Sequence, residues 1–220
     1  MGIFAIIYQI VIILVFLYSI FLGGTDKNTV RKYLFIYLLV TNGIEAVSLL
    51  GSSYLDMSTN GIIYNFYSLF CLCFFYLFYN ESFGDKKSKS VFFALFCLAL
   101  ICTIFFTNFL KFEYDYKIGI ILSLFYVCTA LFWMAYRITN VDNRNITTHP
   151  KFWISIGLIF WSSFFIFRSI PMYLFEKIDE EFQRTLRSMF YLVNIVFYIL
   201  VFIAIKKSKK SSDEYEESAL

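Results

Sequence analysis

The sequence predicts an all-α polytopic membrane protein: a seven-transmembrane-helix bundle with its N-terminus outside and its C-terminus in the cytoplasm. Three observations carry that prediction. Sixty per cent of the 220 residues are hydrophobic and only 16% are charged, against roughly a quarter charged in a soluble domain. Apolar stretches able to cross about 30 Å of hydrocarbon recur along the whole chain. The lysines and arginines are divided unevenly between the segments that join those stretches, a bias that sets orientation in a bilayer.

The elements follow in order. Ile3 to Leu22 lies in "MGIFAIIYQIVIILVFLYSIFLGG", which lacks a basic leader and a small-residue cleavage site and is too long for a signal peptide's apolar region, so it is read as a retained helix. Tyr33 to Gly51 and Gly61 to Tyr79 follow, the latter preceded by Ser58, Thr59 and Asn60 as capping residues. Val91 to Phe109 and Ile118 to Tyr136 are the fourth and fifth spans. The sixth, Phe152 to Leu174, is entered through "TTHPKFW", where Thr147 or Thr148 caps and Pro150 takes an early helical position. Pro171 is expected to kink or end this helix and free backbone carbonyls nearby. Ser188 to Ile205 is the seventh. No connection exceeds about 15 residues, which leaves no room for an inserted soluble domain. Residues 1–207 therefore form one transmembrane domain, and 208–220, "SKKSSDEYEESAL", have the charged composition of a disordered cytoplasmic tail.

Of the 19 lysines and arginines, thirteen lie before Tyr33, in 80–90, in 137–151 and after Ile205, while five lie in 110–117 and 177–187. The richer side is assigned to the cytoplasm. The bilayer is then a partner by composition. Lys206, Lys207, Lys209 and Lys210 follow the last span, where a basic cluster attracts anionic lipid by about 1 kcal/mol per residue, although a plain anchoring role accounts for them equally. The acidic "DEYEE" beyond them offers a surface to a cytoplasmic protein partner. Nothing in the chain points to nucleic acid.

Two charged residues do not belong to a connection. Arg168 in "FIFRSIPMYLF" lies about 9 Å below the outer end of the sixth span at 1.5 Å per residue, and Glu45 lies at a matching depth in the second. Intramembrane charges are costly, and they usually face the bundle interior and pair. Two readings stay open: Glu45 and Arg168 form a buried pair, or Arg168 snorkels to the headgroups and Glu45 is satisfied by Asn42 or nearby backbone. Gln9, Asn65, Ser123 and Asn194 sit at a similar level. Asn42 shares a helix face with Glu45, and Tyr191 shares one with Arg187, Asn194 and Tyr198. Glu45, Arg168, Asn65, Asn194, Asn42, Tyr191 and Gln9 are thus the candidate ligand-binding residues. If Glu45 and Arg168 pair, a purely structural clamp is a full alternative to a ligand site.

No catalytic residue, metal site or cofactor is expected. The single histidine, His149, stands beside Pro150 in a cytoplasmic connection, so a histidine-rich zinc site inside the bundle is not available; its role is read as helix entry. The first lysine in the last span is Lys206, at the cytoplasmic end, where it cannot carry a retinal. There is no GxSxG, HExxH or glycine-rich phosphate loop. Cys71, Cys73, Cys97, Cys102 and Cys128 all fall inside spans and read as apolar packing. The 29 phenylalanines and 17 tyrosines read as packing and interfacial belts.

"NGIIYNFYSLFCLCFFYLFY" in the third span, "KFWISIGLIFWSSFFIF" in the sixth, and Glu45 in the second resemble a group of small seven-helix inner-membrane proteins of Bacteroidota. The resemblance implies the fold and a multi-pass location in a bacterial inner membrane, and it brings no activity with it. Where the group frequently has histidine this chain has Asn65, and an acidic residue frequent two turns further on is absent, which removes titratable groups that a proton-linked mechanism would need. The function expected is an integral membrane binding or signal-transducing module, receptor-like, with an outer-leaflet site for a small polar or amphipathic ligand. The alternatives are a small-solute transporter, and an intramembrane lipid-modifying enzyme with Glu45 as acid or base.

Overall fold

The computed structural model describes residues 2–22, 28–54, 61–110, 114–140, 145–174 and 180–217. Within them the chain forms α1 (Ile3–Phe21), α2 (Thr29–Tyr54), α3 (Gly61–Asn80), α4 (Lys86–Phe106), α5 (Tyr116–Thr139), a 3-10 turn (Ile146–Thr148), α6 (Pro150–Leu174) and α7 (Glu180–Glu217), with no strand among the described residues. All seven α-helices are long and apolar enough to cross a membrane. Five contain the whole apolar run that predicted them, while α1 stops one residue short of Leu22 and α4 three residues short of Phe109.

The differences lie at the ends. Asp85 caps α4 six residues before the expected start, accepting a hydrogen bond from the Ser88 N–H at 2.7 Å, and this bond holds its carboxyl below the ordinary carboxylate range. Asp115 caps α5 in the same way through the Lys117 N–H. Ser58, Thr59 and Asn60 lie outside the described residues. At α6 the two threonines form the 3-10 turn, and Pro150 is the first α-helical residue. Pro171 does not end α6, which continues to Leu174: so near the terminus, the one backbone bond that proline forfeits belongs to a turn with few bonds left to lose. The largest departure is α7, which runs through 208–217, where composition predicts disorder. Extending a helix already nucleated and packed costs little, and Lys and Glu are good helix formers.

Side-chain contacts fix the arrangement. Tyr8 meets Glu45, Thr41 meets Tyr67, Tyr76 stacks on Phe96, Phe92 on Phe132, Tyr126 packs on Trp161 and Trp161 bonds Asn194. Consecutive helices are therefore antiparallel neighbours, and α1 also packs alongside α7, as Tyr18 against Phe202 shows. The ring closes on itself. Helix α4 stands on its outside, since α3 and α5 pack directly on each other, and its outward residues Phe93, Leu98, Ile101 and Phe105 are exposed, an apolar face suited to lipid.

The half of the bundle that holds the α2 N-terminus and the end of α6 near Pro150, here the C-terminal half, is filled. Phe75, Phe78, Tyr79, Phe83, Trp133, Ile154 and Val201 are each at most 2% exposed. Polar ties fasten it: the Tyr79 hydroxyl and Ser155 share a 2.7 Å hydrogen bond, and the Asn28 amide donates to the Ser208 carbonyl at 3.0 Å. Lys151, counted above as a loop cation, is in fact 9% exposed. Its ammonium donates to the Phe78 carbonyl at 2.6 Å and to Ser82, and lies 4.9 Å over the Phe78 ring, so it pins α6 to α3. Arg137 donates to His149 Nε2 at 2.6 Å, which gives the lone histidine a tie to α5 as well as a place at the entry to α6.

Candidate functional site

In the other half, nearer the chain's N-terminus, the helices enclose a cavity of about 470 Å³, within the range typical of small-molecule sites. Helical periodicity explains which side chains reach it. Helix α2 presents Tyr37, Thr41, Glu45 and Ser48, α3 presents Tyr64, Tyr67, Ser68 and Cys71, and α7 presents Arg187, Phe190, Tyr191, Asn194, Phe197 and Tyr198. Ala5, Tyr8 and Gln9 come from α1, Leu122 and Tyr126 from α5, and Trp161, Phe165, Arg168 and Ser169 from α6. Helix α4 contributes none. From Leu49 to Tyr37 the lining of α2 descends twelve residues, roughly 18 Å at 1.5 Å per residue, so the cavity reaches about to mid-bundle.

Its chemistry changes with depth. Ser169 and Arg187 lie highest, and the Arg168 guanidinium reaches down to the Phe190 ring. About a turn deeper comes Glu45, whose Oε1 accepts from the Tyr8 hydroxyl at 3.0 Å, with Tyr64 donating to Ser48 at 3.2 Å beside it. Below these, Thr41 and Tyr67 share a hydrogen bond of 2.8 Å, and the Trp161 indole donates to Asn194 Oδ1 at 2.9 Å. The floor consists of Tyr37, Cys71, Tyr126, Leu158 and Tyr198. Tyr37 and Tyr126 pack on Phe75, at 5.5 and 4.9 Å between ring centroids, and beneath Phe75 the filled core begins.

Five of the seven residues singled out from sequence line this cavity: Glu45, Arg168, Asn194, Tyr191 and Gln9. Of the two readings left open, the paired one has no Glu45–Arg168 contact among those described. Glu45 is bonded to Tyr8, and Arg168 instead lies 4.4 Å over the Phe190 ring; a tyrosine hydroxyl supplies the carboxylate with a neutral donor, and an aromatic face receives the cation. Replacing Tyr8 by Phe and Glu45 by Gln should therefore be coupled by about 0.5–1.5 kcal/mol in unfolding free energy, whereas Glu45→Gln and Arg168→Met should add within about 0.5 kcal/mol. Chemical unfolding of the three single and two double variants in detergent measures this directly.

Asn65 and Asn42 do not line the cavity. Asn65 is fully buried and accepts from the Asp115 N–H at 3.0 Å while donating to the Phe109 carbonyl at 3.4 Å, which ties α3 to the α4–α5 connection. Asn42 donates to the Leu38 carbonyl of its own helix at 2.8 Å. Ser123 likewise donates to the Gly119 carbonyl, one turn back. The residues missed are tyrosines: Tyr8, Tyr37, Tyr64, Tyr67, Tyr114 and Tyr126 border the cavity, as does Tyr198, which the sequence places on the Asn194 face without naming it a binding residue. A signal existed in the i, i+3, i+7 spacing of Tyr64, Tyr67 and Cys71, and of Tyr191, Asn194 and Tyr198.

The cavity can solvate a polar or charged group through phenol hydroxyls and cover an apolar body with ring faces. Among the described residues no three His, Cys, Asp or Glu side chains gather as a metal ion requires, and the five cysteines are free, Cys71 alone among them bordering the cavity. Comparison with protein-family models, curated proteins and solved structures finds no match to this chain.

Proposed function

We propose that this protein is a bacterial inner-membrane binding and signal-transducing module, in which the cavity takes a small polar or amphipathic ligand from the outer side. The observation that carries the reading is the form of the cavity: polar and charged at one end, phenolic in the middle, and shut at mid-bundle by packed aromatic rings. A blind, tyrosine-walled site holds a ligand, whereas passage of a solute would need the Phe75 layer to part. Helix α7 supports the signalling half. It supplies both Arg187 at the top and Tyr198 at the floor, then runs unbroken to Glu217, so a shift imposed by a ligand is carried along one rod to the cytoplasmic end, where a protein partner reads it.

Two experiments test the reading. Ala5 lines the cavity, is 2% exposed and makes no side-chain hydrogen bond that a larger residue would forfeit, so Ala5→Phe fills the site. Ligands found by thermal-shift screening should stabilise the wild type by about 2.7 kcal/mol at a hundredfold excess over Kd and leave Ala5→Phe unmoved; equal stabilisation of both would place binding elsewhere. A reporter active only in the cytoplasm should give signal when fused after Leu220, as the thirteen-to-five bias requires. Silence there, with activity of a periplasmic reporter at the same position, reverses the orientation.

A further inference from the structure

The proton of each hydroxyl around the cavity can be followed to its acceptor. Thr41 donates to the Tyr37 carbonyl of its own helix at 2.7 Å, so in its 2.8 Å bond with Tyr67 the tyrosine must be the donor. Ser68 donates to the Tyr64 carbonyl at 2.8 Å, Tyr64 to Ser48 at 3.2 Å, and Tyr8 to Glu45 at 3.0 Å. Each of these hydroxyls has one proton and two lone pairs, and the proton is already spent on the protein. What this wall offers a ligand is therefore lone pairs and ring faces. The Glu45 carboxylate adds a charge, and among the described residues no cation pairs with it. Arg168 is committed to a different wall: in the ring order α1, α2, α3, α5, α6, α7 its helix stands across from α2, and its guanidinium is held over the Phe190 ring of α7. Beside Glu45 the ring of Tyr8 lies 5.9 Å from those of both Tyr191 and Tyr198.

Resting on the binding role proposed above, we propose that the ligand is a protonated amine with an apolar body: an N–H-bearing ammonium seated on Glu45 among the tyrosine rings, and the body directed toward the aromatic floor. A carboxylate has about four acceptor positions, of which Tyr8 occupies one, and an ammonium brings up to three donors to the rest. The phenol rings around it present the negative faces that attract a cation. From Glu45 down to Tyr37 the eight residues of α2 span roughly 12 Å at 1.5 Å per residue, room for an aryl or alkyl body. The other head-group classes fit less well. A neutral hydroxyl would reach the lone pairs and leave the carboxylate uncompensated, a quaternary ammonium would compensate the charge and give the lone pairs no donor, and an anion would meet both a carboxylate and a wall of acceptors.

Three probes with one body and different heads test this: phenethylamine, 2-phenylethanol and trimethyl(2-phenylethyl)ammonium. The full chain is placed in phosphatidylcholine nanodiscs and each probe is titrated calorimetrically, with Ala5→Phe in the same discs subtracting uptake by the lipid. Phenethylamine should bind at least about tenfold more tightly than either of the others, the difference of one charge-assisted hydrogen bond. Glu45→Gln should weaken phenethylamine by about tenfold and leave 2-phenylethanol unchanged, and Glu45→Asp, which keeps the charge, should retain most binding. The comparison of the three probes on the wild type stands even where a Glu45 variant fails to fold. Equal affinity of the alcohol or of the trimethylated cation for the wild type, or phenethylamine binding that Glu45→Gln leaves unaffected, overturns the amine seat. If no amine binds while other ligands still stabilise the wild type and not Ala5→Phe, this inference fails and the binding role stands; if no ligand discriminates the wild type from Ala5→Phe, both fail.

Discussion

Replacing Asn65 by alanine is expected to lower the unfolding free energy by about 2–4 kcal/mol. The size follows from what the amide holds. The Asp115 N–H, in a buried residue, has Asn65 Oδ1 as its acceptor at 3.0 Å, and the Asn65 amide also reaches the Phe109 carbonyl. Removing the acceptor leaves a buried donor unsatisfied, which costs about 1–3 kcal/mol, and the lost second bond adds about 0.5–1.5 kcal/mol. The damage should propagate, because Asp115 also accepts from the Asn108 and Lys117 N–H groups and so organises both the end of α4 and the start of α5. Hydrogen exchange should accelerate over 107–117 in Asn65→Ala. Asn42→Ala is the control, since Asn42 bonds only its own helix; its loss should stay within about 1 kcal/mol. Equal effects at the two positions would show that Asn65 is no clamp.

That contrast bears on how far the site was legible in the chain. The helices were legible because each carries a run long and apolar enough to cross hydrocarbon, which composition alone locates. Glu45, Arg168, Asn194, Tyr191 and Gln9 were legible as interior residues because charges and amides are expensive in hydrocarbon, and all five do reach the cavity. The same rule could not tell a ligand-facing amide from one spent on backbone. Asn65 and Asn42 satisfy themselves on the Asp115 N–H and the Leu38 carbonyl, and nothing in their spacing distinguishes them from Asn194. Pairing was illegible for a related reason. The matched depth of Glu45 and Arg168 fixes one coordinate and leaves the rotation of two helices open, and a tyrosine hydroxyl in the gap decides the partner. The tyrosines themselves were hidden by abundance. Seventeen of them in a chain with 29 phenylalanines read as packing, and only the assembled bundle shows seven others gathered with Tyr191 around one space. Lys151 was misplaced because a lysine at a helix start resembles a loop cation until its burial against Phe78 is seen.

The wall of that space is itself adjustable, and Gly119 is where it can be moved. A Cβ at Gly119 would lie 2.1 Å from Phe165 Cζ, 2.5 Å from its Cε1 and 2.7 Å from the Tyr114 hydroxyl, far inside contact distance, so α5 and α6 approach as they do because position 119 has no side chain. Alanine there gains about 1 kcal/mol of helix propensity, yet overpacking costs about 1–3 kcal/mol, so Gly119→Ala should be destabilising on balance and Gly119→Leu more so. Phe165 cannot retreat freely: it is stacked on Trp161 at 5.1 Å and edge-on to Phe190 at 6.0 Å. Both of those rings line the cavity, so a displaced Phe165 encroaches on the ligand's volume. Gly119→Ala should accordingly weaken binding as well as stability. Pairing it with Phe165→Leu, which removes the ring atoms in the clash, should restore most of the stability, whereas Phe165→Leu alone, leaving a void beside glycine, should lose about 1–3 kcal/mol. Unfolding of the three variants in detergent, read against the wild type, yields the coupling. Strict additivity would mean that the helices separate to admit the methyl group, and the close approach at Gly119 would then have no part in shaping the cavity.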